Sequence, residues 1–482
     1  MSVFSERLKE LIENNEESVY QLAKKAEVNR TVIHKVLSGE RVPKKEFVDK
    51  ITKAMSLTPF EKKEITELWL QTKLGDKIYY RRKKVKEVIE SLSGNPLRNY
   101  AYQFEKQRFT KIEPSQQGWR MIQGKENVEK AVLAVLGDSF KHFEEPEISF
   151  YLPNGFPYFF ELLYNFYIDC EKSVSIRHLV YIEKDSGNNE KACLNNLETL
   201  EPLLAFGLNS NKDYEPRYFC GEGDPRVWLE LIPNNFIMTN RCVMCFERSL
   251  ETVIYFDTME TLAHFKKLFN RAFENAPHLL ERGKTIPEMY GWSAITEYEY
   301  IIEPTPCLAK YFSRDFLNAI IKQELPEREA ILKMAADFYG DVNRRGKYPL
   351  SIFNITSLGE MLETGIVRSL PHYFVRPFTR NEICAVLEDI RQELLNHSQK
   401  YMAINSEAFH VPMDTEIIKT NESEIAIRSF NADGSELTTV FLRENSIVRA
   451  FSDFFDYLKT SRYVYSDEEL AELIDKAIRR KN

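Results

Sequence analysis

The sequence predicts a multidomain chain in which an all-α N-terminal domain of five short helices precedes a mixed α/β region that shows signs of two related halves. Residues 18–39 have the pattern of two short helices joined by a tight turn. Apolar residues recur at helical spacing up to residue 92, whereas short strand-like runs appear from residue 148 onward. Positive charge is concentrated at the N-terminal end.

The charge is divided unevenly along the 482 residues. The first 90 residues contain 20 basic and 15 acidic side chains, a net charge of +5, while the whole chain carries −8, which leaves −13 for the remainder. A basic head on an acidic body is typical of a nucleic-acid-binding module joined to something else. Because the body repels DNA, contact with DNA is expected to be confined to the head.

The second of the five helices begins at a capping box. Ser18 and Gln21 have the S-x-x-Q spacing in which each side chain bonds to the backbone of the other residue. Leu22, Ala23 and Ala26 then form one apolar face, and small Ala23 lets another helix approach closely.

The third helix follows after a short turn. Asn29 is a good N-cap, and Ile33, Val36 and Leu37 repeat at the spacing of a buried face. Gly39 is suited to the left-handed residue that ends a helix. Four polar side chains that can bond to base edges or phosphates remain on the outer face. They are Arg30, Thr31, His34 and Lys35.

The flanking segments predict the remaining helices of the head. Thr58 and Glu61 form a second capping box, with Pro59 at the first helical position. The apolar faces of the first, fourth and fifth helices are Phe4, Leu8, Leu11 and Ile12; Phe47, Val48, Ile51 and Met55; and Ile65, Leu68 and Trp69.

This order of helices resembles the lambda-repressor-like (Xre-type) helix-turn-helix family, with matching residues at Leu22-Ala23, Val28, Ile33, Gly39 and Pro43. The resemblance implies a DNA-binding head whose third helix reads bases. The DNA-binding residues that it implies are Ser18, Gln21, Asn29, Arg30, Thr31, His34, Lys35, Arg41, Lys44 and Lys45.

Two features depart from the family. Glu27 stands where the family commonly has glycine, and an acidic run, Glu13 to Glu17, must face away from DNA. The alternative for this region is a helical bundle that binds protein.

We predict four segments: a DNA-binding domain at 1–74, a basic helical connector at 75–95, and two α/β halves at 96–285 and 286–482, which sense a ligand or dimerise. The connector contains four consecutive cations from Arg81 to Lys84. They either add phosphate contacts, help two heads dimerise, or form the solvated face of a linker.

The body reads as alternating strands and helices. Strands are predicted at Ile148–Leu152, Val174–Ile182, Tyr218–Cys220, Val227–Ile232, Phe236–Phe246, Thr252–Phe256, Thr415–Ile427 and Thr438–Leu442. Helices are predicted at Phe159–Tyr167, Thr258–Asn275, Ser446–Thr460 and Asp467–Ile478, with mostly helical structure from Tyr290 to His372.

Residues 251–269 and 437–455 share a layout of a β-branched strand, a polar break and a helix with aromatic residues. The similarity suggests duplication, although any strand followed by a helix produces it.

The body also resembles that of long bacterial regulators with an Xre-type head, in the strand pair of Phe236–Phe256 and in residues 357–371 and 454–466. Some regulators of this layout are similar to phospholipase D without its catalytic residues. The phospholipase D signature needs Asp five positions after H-x-K. His264 and Lys266 supply the first part, but position 271 is Arg. We therefore predict that the chain is not an enzyme.

Other chemistry is weakly indicated. Cys242 and Cys245 form a lone C-x-x-C pair, which is either redox-active, half of a zinc site or a pair of ordinary strand cysteines. The aromatic side chains of Tyr290, Trp292, Tyr298 and Tyr300 either line a ligand pocket or pack in the core. Residues 221–225 form a turn too short to cradle a phosphate. No metal or cofactor is predicted.

No run of about 18 apolar residues is present, no secretory signal opens the chain, and the seven cysteines are scattered. We therefore expect a cytoplasmic protein that does not enter the membrane.

The first hypothesis is a transcription regulator, a homodimer that binds double-stranded DNA at a palindromic operator and responds to a small-molecule or peptide effector. The alternatives are a defence or toxin-neutralising protein whose acidic body binds another protein, and a hydrolase that its head localises on DNA.

Overall fold

The computed structural model describes residues 2–15, 18–92, 117–152, 156–184, 190–208, 213–221, 235–282, 298–370, 372–398, 400–420, 423–430 and 437–480. The chain forms two compact units, Met1–Lys84 and Val85–Asn482.

Unit 1 is helical. Its helices are α1 (Val3–Asn14), α2 (Val19–Lys25), α3 (Arg30–Leu37), α4 (Lys45–Ala54) and α5 (Pro59–Leu74). Both predicted capping boxes are present, Ser18 with Gln21 and Thr58 with Glu61. The apolar faces predicted for these helices meet in one core that includes Phe4, Leu22 and Ile33.

Helix α6 (Asp76–Ser91) begins in unit 1 and ends in unit 2. Val85, Val88 and Ile89 are fully buried and belong to the core of unit 2. The part of α6 from Val85 onward therefore contributes apolar side chains to a core, while the alternatives for the cations from Arg81 to Lys84 stay predictions. The predicted boundaries of the four segments stay predictions.

Unit 2 contains two mixed sheets. In the described residues, the first sheet consists of β1 (Trp119–Gln123), β2 (Glu147–Tyr151), β3 (Ser175–Glu183), β4 (Asp213–Gly221), β5 (Phe236–Met238), β6 (Val243–Phe246) and β7 (Thr252–Phe256). The strand order is β4-β3-β2-β5-β6-β7-β1. Strands β2, β3 and β4 run parallel, and the pairings from β2 through β5, β6 and β7 to β1 are antiparallel.

The described part of the second sheet consists of β8 (Leu280–Arg282), β9 (Tyr298–Glu303), β10 (Leu350–Asn354), β11 (Tyr401–Ile404), β12 (Thr415–Thr420), β13 (Glu424–Phe430) and β14 (Leu437–Leu442). The strand order is β11-β10-β9-β12-β13-β14-β8. Strands β9, β10 and β11 run parallel, and the other pairings are antiparallel.

The two sheets have the same strand order and the same pattern of parallel and antiparallel pairs. Each strand of the second sheet takes the place of the strand seven numbers earlier in the first. The similar stretches 251–269 and 437–455 contain β7 and β14, which are equivalent in this order, and the helices that follow them. This is the arrangement that two related halves require.

Helices connect the strands of both sheets. They are α7 (Lys125–His142), α8 (Pro157–Asp169), α9 (Glu190–Glu198), α10 (Leu200–Gly207), α11 (Met259–Glu274), α12 (Arg314–Ile320), α13 (Arg328–Arg345), α14 (Ser357–Thr364), α15 (Arg380–Leu395), α16 (Asn445–Leu458) and α17 (Asp467–Arg479). Helices α8, α9 and α10 make the crossovers that parallel β2, β3 and β4 need.

One hydrophobic core contains residues of both sheets, including Ile148 of β2 and Ile302 of β9. Near it, α9 meets α16 through a buried amide. The Asn196 side chain bonds to both backbone groups of Glu183 at 2.9 and 3.0 Å, and its Nδ2 donates to Ser446 Oγ at 2.9 Å. Because this buried amide is fully paired, it fixes how the two halves align.

Several predicted elements differ from the structure. The predicted strand Phe236–Phe246 is a hairpin of β5 and β6, in which Thr239 N–H donates to Cys242 O at 3.0 Å. The predicted strand Thr415–Ile427 is likewise two strands, β12 and β13. The mostly helical prediction from Tyr290 to His372 is wrong at β9 and β10, and the predicted strand Val227–Ile232 lies outside the described residues.

In the part of the chain that the structure describes, every helix is too short or too polar to span a lipid bilayer.

Candidate nucleic-acid interface

A left-handed residue sets the angle between α2 and α3. After α2 ends, Glu27 adopts φ 52°. The N–H of Val28 then donates to Ala23 O at 3.0 Å, and the N–H of Glu27 donates to Lys24 O at 3.4 Å. This pair of bonds is the Schellman ending of a helix, which usually has glycine where this chain has Glu27.

Buried contacts hold the inner face of α3 in place. Ile33 and Val36 are completely buried, and Ser5 Oγ of α1 donates to Val36 O at 2.6 Å. The segment after α3 is also fixed, because Trp69 Nε1 donates to Pro43 O at 2.9 Å. Gly39 ends α3 at φ 81°, as its position predicts. The outer face of α3 is therefore presented on a rigid support.

All of the side chains predicted to contact DNA are solvent-exposed: Ser18, Gln21, Asn29, Arg30, Thr31, His34, Lys35, Arg41, Lys44 and Lys45. Those from Arg30 to Lys35 lie on α3, whose other side is buried. Their predicted roles in DNA binding stay predictions. Each of these side chains lies where a ligand can reach it.

Some of these side chains also shape the backbone. Gln21 N–H donates to Ser18 Oγ at 3.2 Å, and Ser18 N–H donates to Gln21 Oε1 at 3.0 Å. Asn29 Oδ1 accepts from the N–H of Thr31 at 2.8 Å. In both caps the amide side chain serves as an acceptor, so the amide nitrogens of Gln21 and Asn29 are not used there and are available as donors.

On α3 itself, Arg30 Nε donates to His34 Nε2 at 3.3 Å. This contact of residues one turn apart places the guanidinium along the outer face of the helix, with its two terminal nitrogens directed to solvent. A guanidinium in that position has the fork geometry that matches two acceptors at once, as in a guanine edge or a phosphate.

The surroundings of α3 are mixed in charge. Lys24 and Lys25 are exposed on α2, but Glu27 and Glu40 are exposed as well. Of the acidic run at residues 13–17, Glu13 is exposed and lies 3.9 Å from Lys9, while residues 16 and 17 lie outside the described part.

Tyr20 is a candidate that the sequence reasoning missed. Its side chain is 64% exposed in the first turn of α2, between Ser18 and Gln21. Its position in the sequence could have identified it. An aromatic residue that directly follows a helix start and lies outside the apolar repeat does not pack in the core. Its hydroxyl adds a donor for phosphate.

The cysteine pair of unit 2 does not resemble a reactive site. Cys242 is buried in the hairpin turn, and Cys245 lies in β6. Burial raises the pKa of each thiol to about 12. Both are therefore thiols at neutral pH, whereas redox chemistry and metal binding need thiolates. In the described residues, no group of three or more His, Cys, Asp or Glu side chains could hold a metal ion.

The two residues of the H-x-K pattern, His264 and Lys266, lie on α11 and have different surroundings. His264 is exposed, and Lys266 Nζ pairs with Glu147 Oε2 of β2 at 2.6 Å. Of the aromatic cluster, Tyr300 stacks on Phe455 with ring centres 5.4 Å apart. Tyr290, Trp292 and residues 222–225 lie outside the described residues.

No family model and no curated protein sequence matches this chain. Among the solved structures that match this chain, two are similar to it at a low level. A phosphatidylserine synthase from Haemophilus influenzae Rd KW20 has 8% identity and a TM-score of 0.23, over 76% of this chain and 94% of that one. A polyphosphate kinase from Porphyromonas gingivalis has 9% identity and a TM-score of 0.20, over 79% of this chain and 61% of that one.

The expectation that the chain is not an enzyme is withdrawn, since both of these structures are named as enzymes. With TM-scores this low, neither structure carries an argument about a reaction of this chain. Neither name is that of a DNA-binding protein.

Proposed function

We propose that the chain is a sequence-specific DNA-binding transcription regulator, in which unit 1 places α3 in the major groove of double-stranded DNA. One observation carries the proposal. Arg30, Thr31, His34 and Lys35 project from a short helix whose opposite side is completely buried. A helix supported in this way is how helix-turn-helix proteins present side chains to base edges.

The chemistry of the exposed side chains supports the proposal. Arg30 and Lys35 suit guanine O6 and N7, and the amide nitrogens of Asn29 and Gln21 suit acceptors on bases. Arg41, Lys44 and Lys45 follow α3 and suit the phosphate backbone, where each neutralised phosphate releases counterions. Base contacts then specify the sequence, and phosphate contacts position the helix.

We further propose that two copies act together. A single small module buries little DNA surface, so tight specific binding normally needs two modules on half-sites about 34 Å apart. The remainder of the chain beyond unit 1, with its charge of −14, keeps contact with DNA confined to unit 1.

The test begins with selection of binding sites for the full-length protein from a pool of random duplexes. We expect an enriched sequence with two inverted half-sites. On that duplex, Arg30→Ala should weaken binding by about 1–3 kcal/mol and relax the preference at one base pair.

Lys63→Ala is the matched control, because Lys63 is an exposed cation on α5, outside α2 to α4. It should leave the affinity nearly unchanged. Lys44→Ala should weaken binding to all duplexes alike and lower the slope of log K against log salt by about one. No enriched sequence, or equal losses for Arg30→Ala and Lys63→Ala, would refute the proposal.

A further inference from the structure

A cavity of about 330 Å³ lies in the second half of unit 2. Its walls are α12, α13, the segment between these helices, Phe312, Leu370 and residues 373–375. Backbone bonds close the walls on one side, because Lys322 N–H donates to Phe374 O at 3.0 Å and Arg376 N–H donates to Ile320 O at 2.9 Å. The cavity is therefore a built feature of the fold.

Burial changes sharply from the floor of this cavity to its mouth. Ile320 and Phe312 are 1% and 2% exposed, whereas Tyr373 is 47% exposed. A pit with a buried floor and an aromatic residue at its rim differs from the flat surface on which another protein docks. Its volume falls at the lower end of the range for small-molecule sites, about 300–1,000 Å³.

The lining of the cavity is apolar with one exception. Aliphatic and aromatic side chains cover most of the wall, and the aromatic ones include two pairs in contact. Phe312 and Tyr339 have ring centres 4.6 Å apart, and Tyr373 and Phe374 have ring centres 5.1 Å apart. Four aromatic rings on one cavity offer several π-faces to a ligand.

Glu327 is the one charged residue among the residues that line the cavity. In the described part of the chain it has neither an ion pair nor a side-chain hydrogen bond, whereas Arg328 and Glu329 beside it pair with each other at 3.1 Å. Its backbone is left-handed, with φ 56°. Such a conformation is unfavourable for a non-glycine residue and is often kept where a side chain has a function.

We infer that this cavity binds an apolar small molecule with a single positive charge. The aliphatic wall takes up the apolar part of the ligand by burial. The aromatic rings and the acidic side chain at the mouth suit a cation, because aromatic faces attract ammonium groups and more strongly when water is excluded. This inference adds a class of effector to the proposed regulator. It does not depend on whether the protein binds DNA.

Benzyltrimethylammonium and neopentylbenzene are a suitable pair of probes, because they have the same shape and differ only in the charged nitrogen. Calorimetric titration of the full-length protein without DNA should show binding of the cation and at least about tenfold weaker binding of the neutral probe. Because no DNA is present, failure here would leave the proposed DNA binding untouched.

Because Glu327 is solvent-exposed, Glu327→Gln should weaken binding of the cation about two- to fivefold and leave that of the neutral probe unchanged. Glu329→Gln is the control, since this neighbouring glutamate does not line the cavity. Ala335→Leu should abolish binding of both probes by filling the cavity, while Ala336→Leu, one residue outside the lining, should not.

Equal binding of both probes would overturn the assigned charge. Absence of binding at millimolar probe, or binding that survives Ala335→Leu in a protein with an unchanged circular dichroism spectrum, would overturn the site. If Ala335→Leu does not fold, the effect of Glu327→Gln on the cation, set against that of Glu329→Gln, decides the question.

Discussion

Glu27 has an unfavourable backbone conformation at the turn before α3. At φ 52° its Cβ crowds the following carbonyl, which costs an L-amino acid roughly 1–2 kcal/mol. Glycine avoids the clash but loses more chain entropy on folding. The resemblance noted in the sequence pointed to this position, because it implies glycine there, and the left-handed backbone gives the physical reason.

We expect Glu27→Gly to raise the free energy of unfolding of unit 1 by about 0.5–1 kcal/mol. Glu27→Ala removes the same charge but keeps the Cβ, so it should give no gain. Denaturant unfolding of residues 1–84 measures both. A gain of equal size for alanine would mean that charge, and not backbone conformation, is responsible.

His178 is a second residue whose environment governs its behaviour. Its ring is buried, stacks on Phe150 with ring centres 4.1 Å apart, and bonds through Nδ1 to the hydroxyl of Tyr214 at 2.8 Å. Burial lowers its pKa from 6.5 to about 3. The folded protein therefore holds His178 neutral, while the unfolded chain takes up a proton below pH 6.5.

Because only the unfolded state gains this proton, His178 costs stability as the pH falls from 6.5 toward 3. The measurement should compare the wild type with His178→Phe, a variant that has no titratable group at this position. Between pH 6.5 and 5, the stability of the wild type relative to the variant should fall by about 1.6 kcal/mol in total. A difference that does not change with pH would contradict the neutral, buried histidine.

Among the secondary-structure elements, the starts of helices were the easiest to predict from the sequence. Capping boxes predicted the starts of α2 and α5, since a Ser or Thr followed by Glu or Gln satisfies the free N–H groups locally, and the structure has a further one at the start of α17. Strands were harder. The sequence of β9 and β10 lies between helical patterns, and a short apolar run fits a buried strand or a buried helix equally well.

Hairpins without glycine or proline were also misread. The turn between β5 and β6 is made by Thr239 to Cys242, so β5 and β6 were predicted as a single strand. In the candidate interface, the exposed face of α3 could be predicted from the spacing of the apolar residues on its other face. The cavity beside α13 could not be predicted, because its walls come from segments that only tertiary structure brings together.

Helix α15 allows an element-scale prediction at its own capping box. Glu382 accepts from Arg376 Nη2 at 2.8 Å and from the N–H of Thr379 at 2.7 Å. Chiefly through the bonds from Arg376, its pKa falls from 4.5 to about 2. Its stabilising effect is present above pH 4.5 and is lost as the pH falls toward 2.

Glu382→Gln should therefore lower the free energy of unfolding by about 1 kcal/mol at pH 7, after allowance for solvent screening. The difference should shrink toward zero near pH 2, where the wild-type carboxyl is also neutral. Glu388→Gln on the same helix breaks a half-buried pair with Arg391 that closes no helix cap, and it should lower the free energy of unfolding less than Glu382→Gln does. Equal effects of the two variants would contradict the role of the cap.

For the whole molecule, the two units differ in how their cores are built. Unit 1 has a core of its own, whereas unit 2 has several hydrophobic clusters, the largest of which contains strands of both sheets. The halves of unit 2 resemble each other in strand order, yet each covers apolar surface of the other. Similarity of topology therefore does not make the halves independent.

We expect residues 1–84 and residues 85–482 each to fold when expressed alone, with one cooperative thermal transition. Residues 286–482 should not fold alone, since they lack β8 and the helices that cover the shared core. Circular dichroism and thermal unfolding of the three fragments provide the measurement. A cooperative transition of 286–482 would contradict the shared core.

The strand order of the two sheets has a consequence for synthesis on the ribosome. In the described part of each sheet, the strand that emerges first, β1 or β8, pairs with the strand that emerges last, β7 or β14. The opening strand therefore waits with unpaired edges until the rest of its sheet has been translated. Such long-range closure slows folding and exposes the nascent chain to aggregation. Chaperones that bind extended apolar segments would meet this protein at β1, where Trp119 and Met121 remain exposed even after folding.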